Sequence, residues 1–499
     1  MDDQFGLPGQ GTMQMGLRLM AAIAGNPAGR LIGGDGQVIS HADMPQAVAT
    51  WQRRYGDLPD GAIAICAAKS PHVIAALLGT LAAGRPYAPL DPSHPDERLT
   101  MILEMLAPAA LVVDDPTALR IGPWARARGI TLLHLDGTIT PAEAARAAPP
   151  PEGASAVLHT SGSTGQPKQV RIAAAALHAF ALWVRDEFGV GPDDCLLSHA
   201  PLAFDLSFLD VLSGLDAGAS VALADTDCAR NGERLLRLIE DAGVTFLHGA
   251  PSAFALMMGA AEGRSFPAIR AVLFAGEPMP APVLQQIFVA FPNARVVNIY
   301  GCTETNDTFF YDVPRTGTPD PLPLGRPLPY VDYLIVDEYG APVPAGHEGE
   351  LWLDCPTLMQ GYSEPKLNSA AFAEWQGRRW FRSRDRVRMD DEGLLHFLGR
   401  ADSVQKINGH RVDLTEVETC LAAIDGLREL AVFVALRDGT RQLECAAQTD
   451  GRQIRPLDLR MHAMRVLPPA AIPRRFALSA DPLPKNSNGK ICRRTLAAC

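Results

Sequence analysis

Through the first 300 residues, short apolar runs suited to strands alternate with longer alanine- and leucine-rich segments suited to helices. GAIAIC at 61–66 followed by PHVIAALLGTLAAG at 71–84 is one such pair. That rhythm calls for layered α/β architecture with parallel strands. Two later segments, IRAVLFAGE at 269–277 and ARVVNIYGCTE at 294–304, each end an apolar strand in small and polar residues. Open α/β sheets gather ligands at such strand ends.

The texture changes after Pro314. TGTPDPLPLGRPLP is a proline-rich connection, and YVDYLIVDEYG and EGELWLD read as antiparallel strands of a β-rich, barrel-like subdomain. A second change, near Asp402, brings a polar, glycine-containing stretch. It leads to a short strand and an amphipathic helix starting at Leu414 or Thr415. At 499 residues the chain exceeds what one core usually supports. The expected organisation is an α/β N-terminal domain, 1–401, with layered subdomains, and a small mobile α+β C-terminal domain, 402–499.

Composition narrows the function. The 47% hydrophobic and 20% charged content is that of a globular protein, and a net charge of −11 disfavours nucleic acid and acidic membranes as partners. The start, MDDQFGLPGQ, lacks the positive charge of a secretory signal, and no apolar run reaches a membrane-spanning length. Nine cysteines without a C-x-x-C pair read as reduced thiols, so a cytoplasmic location is expected.

The loop HTSGSTGQPK at 159–168 is rich in glycine and hydroxyls and ends in Lys168. Glycines let backbone amides approach an anion, so the loop suits phosphate as well as it suits a surface turn. Its spacing does not match G-x-x-x-x-G-K-[ST], which disfavours a P-loop NTPase.

The companions of that loop decide between these readings. LAAGRPYAPLDPSHPDERL at 81–99, HTSGSTGQPK, FDLS at 204–207, NIYGCTET at 298–305, GELWLD at 349–354, GRADSVQKINGHRVDLTEVE at 399–418 and NGK at 488–490 follow one another in this order. The series resembles the core motifs of adenylate-forming enzymes, a superfamily that includes acyl-CoA synthetases and luciferases. It is most similar to the amino-acid-activating adenylation domains of nonribosomal peptide synthetases.

The resemblance implies a carboxylate activated by ATP with Mg²⁺, a reaction in which two anions must be brought together and their charge neutralised. By carry-over, Thr160, Ser161, Gly162, Ser163, Thr164, Gly165 and Lys168 hold the β- and γ-phosphates. Glu304 holds Mg²⁺, Thr303 meets the α-phosphate and Tyr300 stacks on adenine. Gly276, Glu277, Asn298, Ile299 and Gly301 complete the nucleotide site. Asp385 takes both ribose hydroxyls, with Arg400 adding a donor. RSRDRVR replaces the family's usual Thr-Gly-Asp, so the assignment of Asp385 rests on its identity and its spacing to GRAD. Lys490 is the expected catalytic lysine, stabilising negative charge as pyrophosphate leaves. Cys302 is read as a tolerated neutral thiol.

A second half-reaction is implied, in which the small domain rotates about Asp402 and a thiol reaches the acyl group along a tunnel past Gly409. A turn is the simpler account of both residues. The sequence ends nine residues after Lys490 and holds no Gly-Gly-His-Ser-like attachment site. The expected acceptor is therefore a separate phosphopantetheinylated carrier protein, with RRFALS or ICRRTL offering basic contacts.

For the substrate, Asp205 in FDLS stands where amino-acid activators pair with the ammonium group; capping of the following helix is the alternative. The other pocket positions are Leu206, Leu209, His248, Leu273, Ala275, Ile299, Asp307 and Thr308. His248, Asp307 and Thr308 suggest a small polar, serine-like amino acid, unless His248 and Asp307 satisfy each other. A D- or β-amino acid, an acid:CoA ligase and a catalytically silent nucleotide-binding protein are the competing readings.

Overall fold

The computed structural model describes residues 9–142, 147–149, 152–161, 166–400, 403–437, 440–451, 454–485 and 491–498. The chain divides into two compact units. The larger comprises Met1–Pro92, Leu106–His159 and Gln169–Ala401; the smaller comprises Ser93–Met105, Thr160–Lys168 and Asp402–Cys499.

Two large sheets organise the larger unit. The eight-stranded sheet runs in the order Gly361–Tyr362, Lys168–Ala173, Ala154–Thr160, Tyr87–Pro89, Ile63–Cys66, Ala110–Val113, Thr131–His134, Ile139–Thr140. The nine-stranded sheet runs Arg326–Pro327, Asn306–Asp312, Arg295–Cys302, Ala271–Ala275, Phe246–Gly249, Cys195–Ser198, Ser220–Leu223, Arg30–Gly33, Val38–Ser40. Its six central strands are parallel and its edge pairs antiparallel, as the alternation of strand and helix implies. One face of this sheet packs on the helices Gly232–Ala242, Pro251–Ala261 and Ala281–Ala290, through residues such as Leu235, Phe254, Val272, Phe274 and Ile287.

The helix Pro71–Ala82 shows why the sequence folds this way. Ser70 caps it by accepting from the Val73 amide, Pro71 supplies a preset first turn, and every residue except His72 is buried. A helix that is apolar nearly all round has to be covered on all sides. Gly16 of the helix Gln10–Gly25 lets that neighbour approach the backbone of Leu81 and Ala82, where an added Cβ would stand 2.4 Å from the Ala82 nitrogen. Gly79 does the same for Trp51 on the helix Met44–Gly56, at 2.6 Å.

A five-stranded antiparallel sheet follows, built on Asp332–Val336, Glu348–Asp354, Arg378–Met389, Phe372–Trp375 and Leu395–Arg400. This is the β-rich subdomain expected from the change of texture after Pro314. In the smaller unit the hairpin Val404–Ile407/His410–Asp413 precedes the helix Leu414–Ala422, which starts where the pattern placed it. Leu427–Arg437, Thr440–Thr449 and Arg475–Ser479 form a three-stranded sheet. The helix Leu414–Ala422, the helix Pro456–Val466 and this sheet share a core that includes Val417, Leu421, Val432, Leu443 and Leu459. Arg98 and Glu416 of this unit form a buried ion pair at 2.7 Å. Among the described residues, no helix is long and apolar enough to cross a membrane.

Gly16→Ala should lower unfolding stability by roughly 1–3 kcal/mol, because its Cβ meets backbone that cannot move aside. Gly25→Ala, where nothing lies within 4 Å, should be neutral or slightly stabilising in the same denaturant titration.

Candidate active site

The site is laid out by strand register. His248 pairs with Leu273, Leu273 with Val297 and Ala275 with Ile299 across three adjacent parallel strands. Side chains alternate along a strand, so His248, Leu273, Ala275 and Ile299 share one face of the sheet, near the strands' C-terminal ends. Asn298 and Tyr300 point to the other face. Two neighbours in the chain, Ile299 and Tyr300, thus serve opposite sides.

The antiparallel partner Asn306–Asp312 adds a bulge. Tyr300 pairs with Phe309 but Gly301 pairs with Asp307, which leaves Thr308 as the extra residue. The Thr308 hydroxyl donates to the Tyr300 carbonyl at 3.2 Å. Gly301 permits this crowding, since a Cβ there would sit 2.1 Å from the Asn306 carbonyl oxygen. Thr308 therefore has a local structural partner, and Asp307 lies on the face that carries Ile299.

On the opposite face the Tyr300 hydroxyl donates to the Asp385 carboxylate. Arg400 donates to the other oxygen of Asp385 at 2.5 Å and to the Ser383 carbonyl at 3.2 Å. Asp385 and Arg400 face each other across paired strands, Asp385 opposite Arg400 in the register. Burial and the Asp385 charge push the Tyr300 phenol well above its ordinary pKa, so it remains a hydrogen-bond donor. The expected adenine platform and the expected ribose acid are thus one hydrogen-bonded unit. Asn298 is occupied elsewhere: its amide donates to the Pro323 carbonyl at 2.8 Å and ties down the proline-rich connection.

Glu304 is fully buried, and the Tyr362 hydroxyl donates to it at 2.7 Å. Its turn is pinned from the segment 355–362: Met359 N–H donates to the Glu304 carbonyl at 2.8 Å and the Thr357 hydroxyl to the Thr305 carbonyl at 2.6 Å. Among the described residues no cluster of three His, Cys, Asp or Glu could cage a metal unaided. One hard carboxylate is the donor set that suits Mg²⁺ shared with phosphates, so the residues fit that ion. The Cys302 thiol lies 3.3 Å from the Thr305 hydroxyl.

Asp205 accepts from the Leu206 amide at 3.0 Å through its carboxylate, and its carbonyl accepts from the Phe208 amide at 2.8 Å. Local capping and amine binding are compatible, since a carboxylate has several acceptor sites. Leu209 is buried on the π-helix Phe208–Ser213, a rare turn that is often associated with functional sites. His248 is 3% exposed, and neither ring nitrogen has a hydrogen-bond partner among the described residues; the Leu206 backbone approaches without reaching bonding geometry. It does not pair with Asp307. Burial pushes its pKa down to about 3, so the imidazole is neutral throughout the physiological range.

Lys490, Asp402, Gly162, Ser163, Thr164 and Gly165 lie outside the described residues. Thr160 and Ser161 are buried, and Ser161 donates to the Arg411 carbonyl at 3.0 Å within the smaller unit. Lys168 opens the strand Lys168–Ala173. Gly409 follows Asn408 in a two-residue hairpin turn, with φ of 79° and 50° respectively. Positive φ at both positions is what an Asn-Gly hairpin turn requires, which by itself accounts for the glycine. The NG dipeptide between VQKI and HRVD carried that signal. The roles of Tyr362 and Ser383 had no comparable signature, because each acts through a long-range contact.

Residues 40–363 match the AMP-binding enzyme family. The chain is 31% identical over 479 residues to AMB antimetabolite synthetase AmbB of Pseudomonas aeruginosa, covering 92% of this chain and 37% of AmbB. Its fold resembles the Vibrio cholerae adenylation domain AlmE, solved with glycyl-adenosine-5'-phosphate, at a TM-score of 0.83, 21% identity and coverage of 100% and 98%. It also resembles NpsA-ThdA, an artificially fused adenylation–PCP di-domain from Klebsiella oxytoca, at 0.77, 23% identity and coverage of 92% of each chain. The chain belongs to the AMP-binding enzymes, within the adenylate-forming superfamily. Among the proteins it matches are nonribosomal peptide synthetases such as the dimodular synthase of Bacillus subtilis, 30% identical over 456 residues, 88% of this chain and 19% of that protein. The chain spans well under half the length of the curated relatives it matches, from 7% to 38%.

His248 makes a direct stability prediction. Below about pH 6.5 the unfolded chain binds a proton there that the folded chain refuses until about pH 3. Stability should therefore fall with acidification across that window, by up to about 1.4 kcal/mol per pH unit from this group. His248→Leu should remove that component from unfolding curves measured between pH 6.5 and 4.

Proposed function

We propose that this enzyme converts a small polar amino acid and ATP into aminoacyl-AMP and pyrophosphate, then transfers the aminoacyl group to the phosphopantetheine thiol of a separate carrier protein. The observation that carries the substrate reading is His248. A buried neutral imidazole with one donor and one acceptor unmet is costly unless a ligand helps to satisfy it, and a substrate hydroxyl can meet one ring nitrogen, donating to the bare one or accepting from the protonated one. It shares its face with Leu273, Ala275 and Ile299, which leaves a small apolar surround. Asp205 supplies the counter-charge for the substrate ammonium.

The nucleotide-side residues act together. Tyr300 presents its ring to adenine while its hydroxyl holds Asp385, and Asp385 with Arg400 orients the ribose. Orientation of this kind removes much of the entropic cost of bringing carboxylate and α-phosphate together. Glu304 would hold Mg²⁺, which supplies charge neutralisation at the phosphates when bound. Thr160, whose buried hydroxyl has no partner among the described residues, and Lys168 are the proposed phosphate contacts from the strand ends that flank the glycine-rich loop. Thr303 would meet the α-phosphate, and Lys490 would stabilise charge developing on the transferred group. The likeness to AlmE, which was solved with a glycyl-adenylate, supports amino acid activation, and the likeness to the adenylation–PCP fusion NpsA-ThdA supports a carrier-protein acceptor. Five buried free thiols, Cys66, Cys195, Cys228, Cys355 and Cys445, suit a reducing cytoplasm.

Exchange of labelled pyrophosphate into ATP tests this directly, using proteinogenic, D- and β-amino acids with fatty and aryl acids as controls. A serine-sized polar amino acid should give the strongest exchange, and Asp205→Ala should cost about 100-fold in kcat/KM. A response confined to fatty or aryl acids would overturn the amine reading. Lys490→Ala should suppress exchange while leaving ATP affinity within about threefold of wild type. Normal turnover at saturating ATP in that variant would remove the lysine from the chemistry. Comparison of free CoA with a separately added, phosphopantetheinylated carrier identifies the thiol acceptor.

A further inference from the structure

Glu304 is held by a residue that no motif marked. Tyr362, 5% exposed, donates its hydroxyl to Glu304 Oε1 at 2.7 Å, and Glu304 itself is fully buried. A carboxylate offers about four acceptor sites, so one such bond orients it without using it up. The donor is a neutral phenol. It fixes the direction of the carboxylate and leaves the negative charge in place, whereas a lysine or arginine at that position would oppose a cation.

The backbone of Tyr362 is fixed from two sides. Gly361 and Tyr362 pair with Arg171 and Val170 on the strand Lys168–Ala173, which follows directly on the glycine-rich loop. Two bonds flank this pairing, from Gln360 N–H to the Arg171 carbonyl at 2.9 Å and from Ser363 N–H to the Gln169 carbonyl at 3.1 Å. On the other side the Asn368 side chain, from the helix Pro365–Ala371, closes on the same residue. Tyr362 N–H donates to Asn368 Oδ1 at 2.8 Å, and Asn368 Nδ2 donates to the Tyr362 carbonyl at 3.0 Å. The segment also reaches the backbone of Glu304, whose carbonyl accepts from Met359 N–H. Holding Glu304 by both its carbonyl and its carboxylate removes rotamer freedom that ligand binding would otherwise have to take away.

We infer that Tyr362 is a positioning residue for the metal ligand: its hydroxyl sets the orientation of the Glu304 carboxylate, and its backbone pairing ties that orientation to the strand that follows the glycine-rich loop. Its effect falls on the metal-bound form of the nucleotide. The inference rests on the Mg²⁺-holding role proposed for Glu304.

Calorimetric titration of ATP into the full chain, once with excess Mg²⁺ and once with EDTA, gives the factor by which the metal tightens ATP binding. Tyr362→Phe keeps the ring and removes the hydroxyl. It should reduce that factor about tenfold, with the affinity in EDTA within about twofold of wild type. Tyr55→Phe removes another buried hydroxyl, one that donates to the Ala76 carbonyl at 3.0 Å, and should leave the factor unchanged. Equal losses of affinity with and without Mg²⁺ in Tyr362→Phe would make the tyrosine a packing residue and overturn the inference. Glu304→Gln separates the inference from the reading beneath it. A reduced factor in Glu304→Gln beside a wild-type factor in Tyr362→Phe would overturn the role of Tyr362 alone. A wild-type factor in Glu304→Gln would reject the metal role of Glu304, and the inference with it.

Discussion

The register of the three parallel strands ending at Gly249, Ala275 and Cys302 is the constraint on which the site depends. Because side chains alternate, one register decides that His248, Leu273, Ala275 and Ile299 share a face while Tyr300 turns away from it. A slip of one residue would exchange the two sets. The bulge at Tyr300 and Gly301 protects this arrangement, since Thr308 and the missing side chain of Gly301 specify one pairing with the antiparallel neighbour.

On one side of that strand the chemistry is apolar with a few unmet polar groups. On the other it is charged and fully bonded. Asp385, Arg400 and Tyr300 form a cluster whose geometry is fixed by its own hydrogen bonds. His248 has neither ring nitrogen satisfied among the described residues. The contrast is physically informative: preorganised charge suits a part of the substrate that never varies, whereas an unsatisfied imidazole suits a part by which substrates are distinguished.

Much of this protein was legible in its sequence because the signals are local. The strand and helix rhythm anticipated the parallel sheets, the proline-rich connection marked the β-rich subdomain, and the start of the helix at Leu414 was placed to within one residue. The motif series led to the family. Local sequence did not reveal that Asn298 would serve the Pro323 carbonyl, that Thr308 would be a bulge residue, or that Tyr300 and Asp385 would share a hydrogen bond across 85 positions. Residue type and periodicity determine which segments become strands, helices and turns. Which side chains meet is decided only when distant strands align, because burial turns an ordinary polar group into one that must find a partner.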